Sequence, residues 1–213
     1  MIGTPRNPTI QRRNPISRIV AIAMLVSFTA VLFAQRAQPH WPAQAVVHVW
    51  IDRNGLPAGD DDLVERAMRT WTKASDGRLS MQRTLLESDA QIRVYFNGAG
   101  GNYGETRPHV NAAGFIDAAE VAILADVPVP DPMAKQIIAY LTALHELGHA
   151  IGLEHTTNFT DIMYLFRYPD DGPRYFGNYR AKVKTADDIG GAAATGLSMN
   201  DVVALKALYE DKR

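Results

Sequence analysis

The stretch that decides the fold is HELGHAIGLEH, residues 145–155. Its three histidines and Glu146 stand around two glycines, although a glycine inside a helix costs about 1 kcal/mol relative to alanine. His145 and His149 are four residues apart, so on a helix they share one face and can bind one ion. Glu146 is rotated by about 100° from His145, so it lines the same cavity without occupying a ligand position. The pattern predicts a metal site on a helix.

The two glycines explain how the third histidine takes part. On an unbroken helix His155 would lie about 9 Å beyond His149 and on another side, too far away to share its ion. Gly152 can adopt the left-handed conformation that ends a helix, and the chain then turns back towards the metal. Gly148 would let a backbone segment or a side chain approach the helix closely. The sequence thus predicts His145, His149 and His155 as the three metal ligands.

The chemistry of this set points to hydrolysis. Three neutral histidines leave a fourth coordination position of zinc open, which is typical of a catalytic site rather than a structural one. Zinc lowers the pKa of a water bound there, Glu146 accepts the proton, and the metal polarises the scissile carbonyl. The predicted reaction is peptide-bond hydrolysis without a covalent intermediate, with one catalytic Zn²⁺ as the cofactor. A core cluster of three histidines without metal would not explain the glutamate beside them.

These residues resemble the metzincin metallopeptidases. HELGHAIGLEH matches the family pattern HExxHxxGxxH at all five defining positions, and DIMY, which contains Met163, is similar to the family's methionine turn. Tyr164 directly follows the methionine, which resembles the matrixin branch. Leu165 stands where astacin-like and serralysin-like relatives place a metal-binding tyrosine, so no tyrosine ligand is expected. The resemblance implies that Gly152, Met163 and Tyr164 give structural support to the site.

Outside the motif, the pattern of apolar residues predicts an α+β domain. Alternating apolar residues predict five strands, at 46–52, 79–84, 90–96, 105–110 and 115–124. A helix is expected to follow Asp60, which would be its N-cap. The metal-binding helix is expected to follow Asp131, which would likewise be its N-cap. Residues 197–209 are similar to the final helix of matrixins, with Ser198 and Asp201 at capping-box spacing. The resemblance implies a metzincin-like fold: a twisted mixed five-stranded sheet, two main helices and a C-terminal third helix.

The first 37 residues differ in character from the rest. Basic residues, among them Arg12, Arg13 and Arg18, precede an uncharged apolar run at 19–34, as in segments that direct export. As a helix this run would span about 24 Å, less than a hydrocarbon core of about 30 Å, which favours a cleaved signal peptide over a retained anchor. We expect a signal peptide or anchor at 1–37, a linker at 38–44 and a catalytic domain at 45–213. The protein would be secreted or held in the cell envelope.

The composition of the chain limits the kinds of partner that it can bind. The 213 residues carry a formal net charge of −1, and most basic residues are scattered among acids, so no nucleic-acid partner is expected. The chain has no cysteine, which removes disulfides, thiolate ligands and the cysteine switch of animal matrixins. The expected partner is a protein or peptide substrate. A membrane would be contacted only through an uncleaved N-terminal segment, and we expect a monomer.

Further ions are predicted less directly. The histidine and aspartate cluster that holds a structural zinc in animal matrixins is not evident between Gly98 and Asp126, where His109 stands alone, so one zinc is predicted. Three acidic clusters could hold Ca²⁺, but helix caps and solvated turns are the favoured explanation of them. These clusters are at 60–62, 170–171 and 187–188.

The resemblance also bears on the substrate. In metzincins the segment after the methionine turn forms the wall of the pocket beyond the scissile bond, and six aromatic residues lie between Tyr164 and Tyr179. We therefore expect an apolar side chain there; packing of these rings onto the core is the alternative. Substrate is expected to pair with an edge strand near 105–110 or with the segment after it. Two functions stay open: an active endopeptidase, and a catalytically silent zinc-containing secreted binding module whose cleft is blocked by 164–196. Glu146 favours the first, because a binding module needs no base beside the metal.

Overall fold

One mixed β-sheet organises the chain. The computed structural model describes residues 38–57, 59–97 and 103–210, and the predicted signal peptide or anchor at 1–37 lies outside these ranges. The strands are β1 Ala45–Ile51, β2 Leu79–Arg83, β3 Ile92–Phe96, β4 Gly104–Val110 and β5 Ile116–Ile123. They form a single five-stranded sheet in the order β2-β1-β3-β5-β4. This confirms the predicted sheet.

Four helices complete the described ranges. They are α1 Asp60–Ala74, α2 Pro132–Ala150, α3 Asp171–Arg180 and α4 Met199–Leu208. The predicted α+β class is confirmed, with one helix more than the three expected. In these ranges none of the helices combines the length and the apolar character needed to cross a bilayer.

The sheet has one reversed strand, and it lies at an edge. β1 pairs in parallel with β2 and β3, and β3 pairs in parallel with β5. β4 runs antiparallel to β5 and pairs on that side only. Side chains alternate between the faces of a strand, which buries Val47, Val49 and Ile51 of β1 in the core. The edge strand predicted near 105–110 is therefore β4, and its second backbone edge is free for another strand.

The start of α1 differs from the prediction. The predicted apolar stripe of this helix is buried, at Val64, Ala67, Met68 and Trp71. Asp60, predicted as the N-cap, is instead the first helical residue, and Gly59 occupies the cap position with φ 89°. A φ in this range favours glycine because a Cβ would clash with the backbone. The start of this helix is therefore set by the turn at Gly59 and not by the side chain of Asp60.

The helix α2 carries the histidine motif at its C-terminal end. Asp131 caps it as predicted, with its side chain accepting a hydrogen bond of 3.0 Å from the N–H of Met133, and Pro132 is the first helical residue. The helix is anchored from α1, where the indole Nε1 of Trp71 donates to the carbonyl oxygen of Leu144 at 2.8 Å. The turns that carry the motif are thus held by the core.

The segment 38–44, predicted as a linker, packs on the domain. Trp41 is buried, and its indole Nε1 donates to the carbonyl oxygen of Ala150 at 2.8 Å. The carbonyl oxygen of His40 accepts a hydrogen bond of 2.9 Å from the N–H of Ile116. This segment therefore covers the end of α2.

Candidate active site

The three predicted ligand histidines meet at one point. The Nε2 atoms of His145 and His149 are 3.2 Å apart, and the Nε2 of His155 lies 3.3 and 3.1 Å from them. Nitrogen ligands about 2.0–2.1 Å from a tetrahedral zinc ion are about 3.3–3.4 Å from one another. The spacing of the three nitrogens fits one zinc ion.

Backbone carbonyls fix the orientation of two of these rings. The Nδ1 of His145 lies 2.6 Å from the carbonyl oxygen of Ile162, and the Nδ1 of His149 lies 2.8 Å from that of Leu153. A carbonyl oxygen only accepts hydrogen bonds, so each Nδ1 carries the hydrogen and each Nε2 directs a lone pair to the common point. Converging lone pairs repel one another unless a cation lies between them. The donor set is therefore that of a metal site.

Burial keeps the three histidines neutral. It lowers the pKa of His145 to about 3, and the neighbouring His149 contributes to this shift. Burial also lowers the pKa of His149 and that of His155. Neutral imidazole is the form that binds metal. Protons therefore compete little with a metal at neutral pH.

The two glycines of the motif act in different ways. Gly152 has φ 99°, and a Cβ on it would collide with the carbonyl oxygen of Pro39. The chain leaves α2 at this residue and turns so that His155 reaches the other two histidines, as predicted. Gly148 lies within the helix, where a Cβ would collide with Sδ of Met163. The close approach expected at Gly148 is therefore that of the methionine.

The methionine turn is held by the last helix. The carboxylate of Asp201 accepts hydrogen bonds from the N–H of Ile162 at 2.9 Å and from that of Met163 at 3.5 Å. The same carboxylate accepts from the N–H of Ser198, which completes the predicted capping box. Ile162 also provides the carbonyl that orients His145. Sequence reasoning identified Asp201 only as a cap and missed this second role.

Tyr164, the third predicted support residue, belongs to the wall of the site. Its side chain is buried, and its hydroxyl donates to Oδ2 of Asp171 at 3.0 Å. This bond connects the methionine turn to the first residue of α3. The tyrosine lines the cleft beside the histidines.

Glu146 is buried beside the histidines and faces β4. The hydroxyl of Thr106 lies 2.6 Å from Oε2 of Glu146 and 3.0 Å from its backbone oxygen. Burial raises the pKa of Glu146 to about 7, and the hydrogen bond from Thr106 opposes this shift. A Cβ on Gly104 would lie 2.6 Å from Cγ of Glu146, so a larger residue there would displace the carboxylate. Sequence reasoning missed Thr106 and Gly104, because they lie about forty residues away and follow no local pattern.

A cleft of about 790 Å³ contains the histidines and Glu146. Its upper wall is β4, with Gly104, Thr106 and Pro108. Its lower wall is the segment 164–176, which follows the methionine turn and enters α3. The aromatic side chains of that segment form one side of the cleft and leave it open above the histidines.

The free edge of β4 can bind an extended peptide. The N–H of Leu124 donates to the carbonyl oxygen of Tyr103 at 2.8 Å, and Gly104 lies opposite Ile123. Because such pairs alternate along an antiparallel ladder, Gly104, Thr106 and Pro108 direct their backbone groups away from β5. Proline has no N–H. The edge therefore offers two N–H donors and three carbonyl acceptors.

The acidic clusters considered for calcium have other partners. Asp171 accepts hydrogen bonds from the N–H groups of Arg167 and Tyr168. Asp188 accepts from the N–H groups of Lys184 and Thr185 as part of a capping box. Within the ranges described, the three histidines of the motif are the one group of three or more side chains arranged to hold a metal. Part of the region searched for a structural zinc, 98–102, lies outside those ranges, so a single zinc stays a prediction.

Zinc should stabilise the metal-stripped protein. Binding to the native state alone contributes about 2.7 kcal/mol at a free zinc concentration of a hundred times Kd, which raises Tm by about 5–10 °C for a domain of this size. His155→Ala should remove most of this shift, because it deletes one of three ligands. His109→Ala is the matched control, since His109 is exposed and pairs with Asp117 on the hairpin of β4 and β5. Differential scanning calorimetry with and without zinc measures both; an undiminished shift in His155→Ala would contradict the assignment.

Comparisons with known proteins point to the same kind of site as this geometry does. The sequence model of the family described as Matrixin, a peptidase family, matches residues 56–195. The probable matrix metalloproteinase 095L of Invertebrate iridescent virus 3 is 35% identical over 133 residues, which cover 53% of this chain and 36% of that protein. The interstitial collagenase of Equus caballus is 27% identical over 160 residues, which cover 69% of this chain and 30% of that protein. The chain thus spans about a third of the length of these two relatives.

Proposed function

The chain belongs to the matrixin family of zinc metallopeptidases, and from this premise we propose that it is an endopeptidase that uses Glu146 as the general base. His145, His149 and His155 would hold the zinc. One observation carries the proposal: the buried carboxylate of Glu146 lies beside three converging histidines in an open cleft.

Each side chain of the site has its own role in hydrolysis. Zinc, when bound, would act as a Lewis acid and would lower the pKa of a water at its fourth coordination position. Glu146 removes a proton from the attacking water and passes it to the leaving amine nitrogen. Thr106 holds Oε2 of Glu146 in place. The backbone carbonyls of Ile162 and Leu153 hold two histidine rings in the tautomer that leaves Nε2 free.

The lower wall suits an apolar substrate side chain. Tyr164, Phe166, Tyr175 and Phe176 all face the cleft, and neighbouring rings pack edge to face, as between Phe166 and Phe176 with centroids 5.8 Å apart. We propose that a peptide pairs with β4 and inserts one apolar side chain against these rings. The alternative function, a silent binding module with a blocked cleft, gains no support, because a cleft of about 790 Å³ remains beside the histidines between β4 and the segment 164–176.

Cleavage of a mixed, unstructured peptide pool tests the proposal. The full chain loaded with zinc should cut the pool, and a chelated sample should not. Cut sites should share an apolar residue directly after the scissile bond. A folded, zinc-containing protein that cuts no peptide in the pool would contradict an endopeptidase of this kind.

The pH dependence should report the bond between Thr106 and Glu146. The hydroxyl of Thr106 stabilises the carboxylate, so its loss in Thr106→Val should raise the pKa of Glu146. The acidic limb of kcat/KM, where activity is lost as Glu146 becomes protonated, should then move to higher pH by about one unit. Thr106→Ser keeps the hydroxyl and should retain the wild-type profile. Profiles from pH 5 to 9 decide the matter, and a limb that stays in place in Thr106→Val would show that the hydrogen bond does not act on the base.

We also propose that the protein works outside the cytoplasm. The support is the basic flank of residues 1–18 followed by the uncharged apolar run at 19–34. Fractionation of cells that produce the full chain, with N-terminal sequencing of the product, would distinguish a cleaved signal peptide from a retained anchor. Recovery of the whole chain in the cytoplasm would contradict the proposal.

A further inference from the structure

One end of the cleft is closed by an aromatic contact between its walls. Tyr103 directly precedes β4 on the upper wall. Its ring packs edge to face on Phe176 and Phe166 of the lower wall, with centroids 5.0 and 6.2 Å apart. Its hydroxyl lies 3.1 Å from the position of a Cβ on Gly172, also on the lower wall. All four residues line the same cleft, and we call this contact the Tyr103 bridge.

The other end of the upper wall has no such contact within the described ranges. β4 continues there through Pro108 to Val110, and both residues are exposed while they line the cleft. The side chain of Val110 is 40% exposed. Among the residues that the structure describes, no aromatic contact joins the two walls at this end, whereas at the other end a peptide meets the Tyr103 bridge.

The bridge lies close to the reacting atoms. Gly104, the next residue after Tyr103, lies against Glu146, since a Cβ on it would be 2.6 Å from Cγ. Thr106, three residues after Tyr103, bonds the carboxylate of Glu146. A peptide paired with β4 advances in step with that strand, so at most about three of its residues fit between the carboxylate and the bridge. The room on this side of the scissile bond is therefore short.

We infer that Tyr103 limits the length of substrate on one side of the scissile bond, so that the enzyme prefers to cut within about three residues of one end of a peptide. This inference rests on the proposed peptidase function and narrows the proposed endopeptidase activity to internal bonds near one end of the substrate, so that the substrate class is short peptides and unstructured chain ends. A longer substrate must displace the ring of Tyr103 from its two aromatic partners. That displacement should lower kcat/KM by about tenfold or more, because each aromatic contact contributes to the closed state.

The test uses one peptide that the wild-type enzyme cuts, lengthened by one to six residues at either end. For peptides lengthened at one end, kcat/KM should fall at least tenfold once more than about three residues lie beyond the cut. For peptides lengthened at the other end, kcat/KM should not change. Tyr103→Ala should remove the fall. Tyr103→Phe keeps the ring and should retain it. Equal cleavage of both series by the wild type, or the same fall in Tyr103→Ala, would overturn the inference.

A binding measurement separates this inference from the proposed function. Calorimetry of the same peptides with Glu146→Gln, and with Glu146→Gln combined with Tyr103→Ala, needs no turnover. The length limit should appear as a weaker Kd in the first protein and not in the second. Equal Kd values for short and long peptides would overturn the length limit, whether or not the wild type cleaves peptides. A Kd that depends on length, together with no cleavage by the wild type, would support the length limit and contradict the proposed peptidase function. Absence of any peptide binding would contradict both.

Discussion

Glu146→Gln should lower kcat by about 10²–10⁴-fold, since a general base of this kind contributes by that factor. Glutamine has nearly the same size as glutamate and can still accept the hydrogen bond from Thr106, but it cannot take up a proton. Its neutral side chain leaves the three histidines and their backbone partners unchanged. Zinc content measured by atomic absorption should therefore equal that of the wild type while cleavage of a peptide is lost.

A matched substitution controls for the loss of one charge. Glu120 is exposed on β5, and Glu120→Gln should retain wild-type kcat. If Glu146→Gln holds its zinc and keeps more than a tenth of wild-type kcat, Glu146 is not the base. The role of the residue and the integrity of the metal site are thereby measured separately.

Gly152→Ala should be strongly destabilising. An alanine at φ 99° is strained, and its Cβ would also meet the carbonyl oxygen of Pro39 and the side chain of Leu208. Strain of about 1–2 kcal/mol from the left-handed backbone adds to a packing cost of about 1–3 kcal/mol. We expect the free energy of unfolding, from urea titration, to fall by about 2–5 kcal/mol. Zinc affinity should weaken as well, because the turn at Gly152 brings His155 to the other ligands.

The control for Gly152 is another glycine with the same backbone and free space around it. Gly114 has φ 88°, and nothing lies within 4 Å of a Cβ placed there. Gly114→Ala should therefore show the backbone strain alone. If the two substitutions cost the same, the contact with Pro39 contributes nothing to stability.

The parts that sequence predicted correctly have local causes. The alternation of Val47, Val49 and Ile51 follows from the two faces of a strand, and the cap at Asp131 follows from a short-range hydrogen bond. The spacing of His145 and His149 is a property of any helix. Such signals span a few residues and do not depend on the rest of the fold.

The parts that sequence did not predict depend on distant partners. The helix α3 contains two glycines and a proline in ten residues, which argue against a helix by propensity. Packing outweighs propensity here, because Phe176 contacts Tyr103 and the hydroxyl of Tyr175 donates to the carbonyl oxygen of Asp161. Thr106 likewise acts only because β4 comes to lie beside α2. Contacts of this kind follow from the tertiary fold and leave no pattern along the chain.

The position of Asp201 makes the geometry of the metal site depend on the last helix. Asp201 holds Ile162, thirty-nine residues earlier, and the carbonyl of Ile162 orients His145. A chain that is still being synthesised has the whole histidine motif before it has this carboxylate. The metal site therefore reaches its final geometry only when α4 has emerged and folded. Under the proposed function, a peptide would be cut only after the last helix has folded.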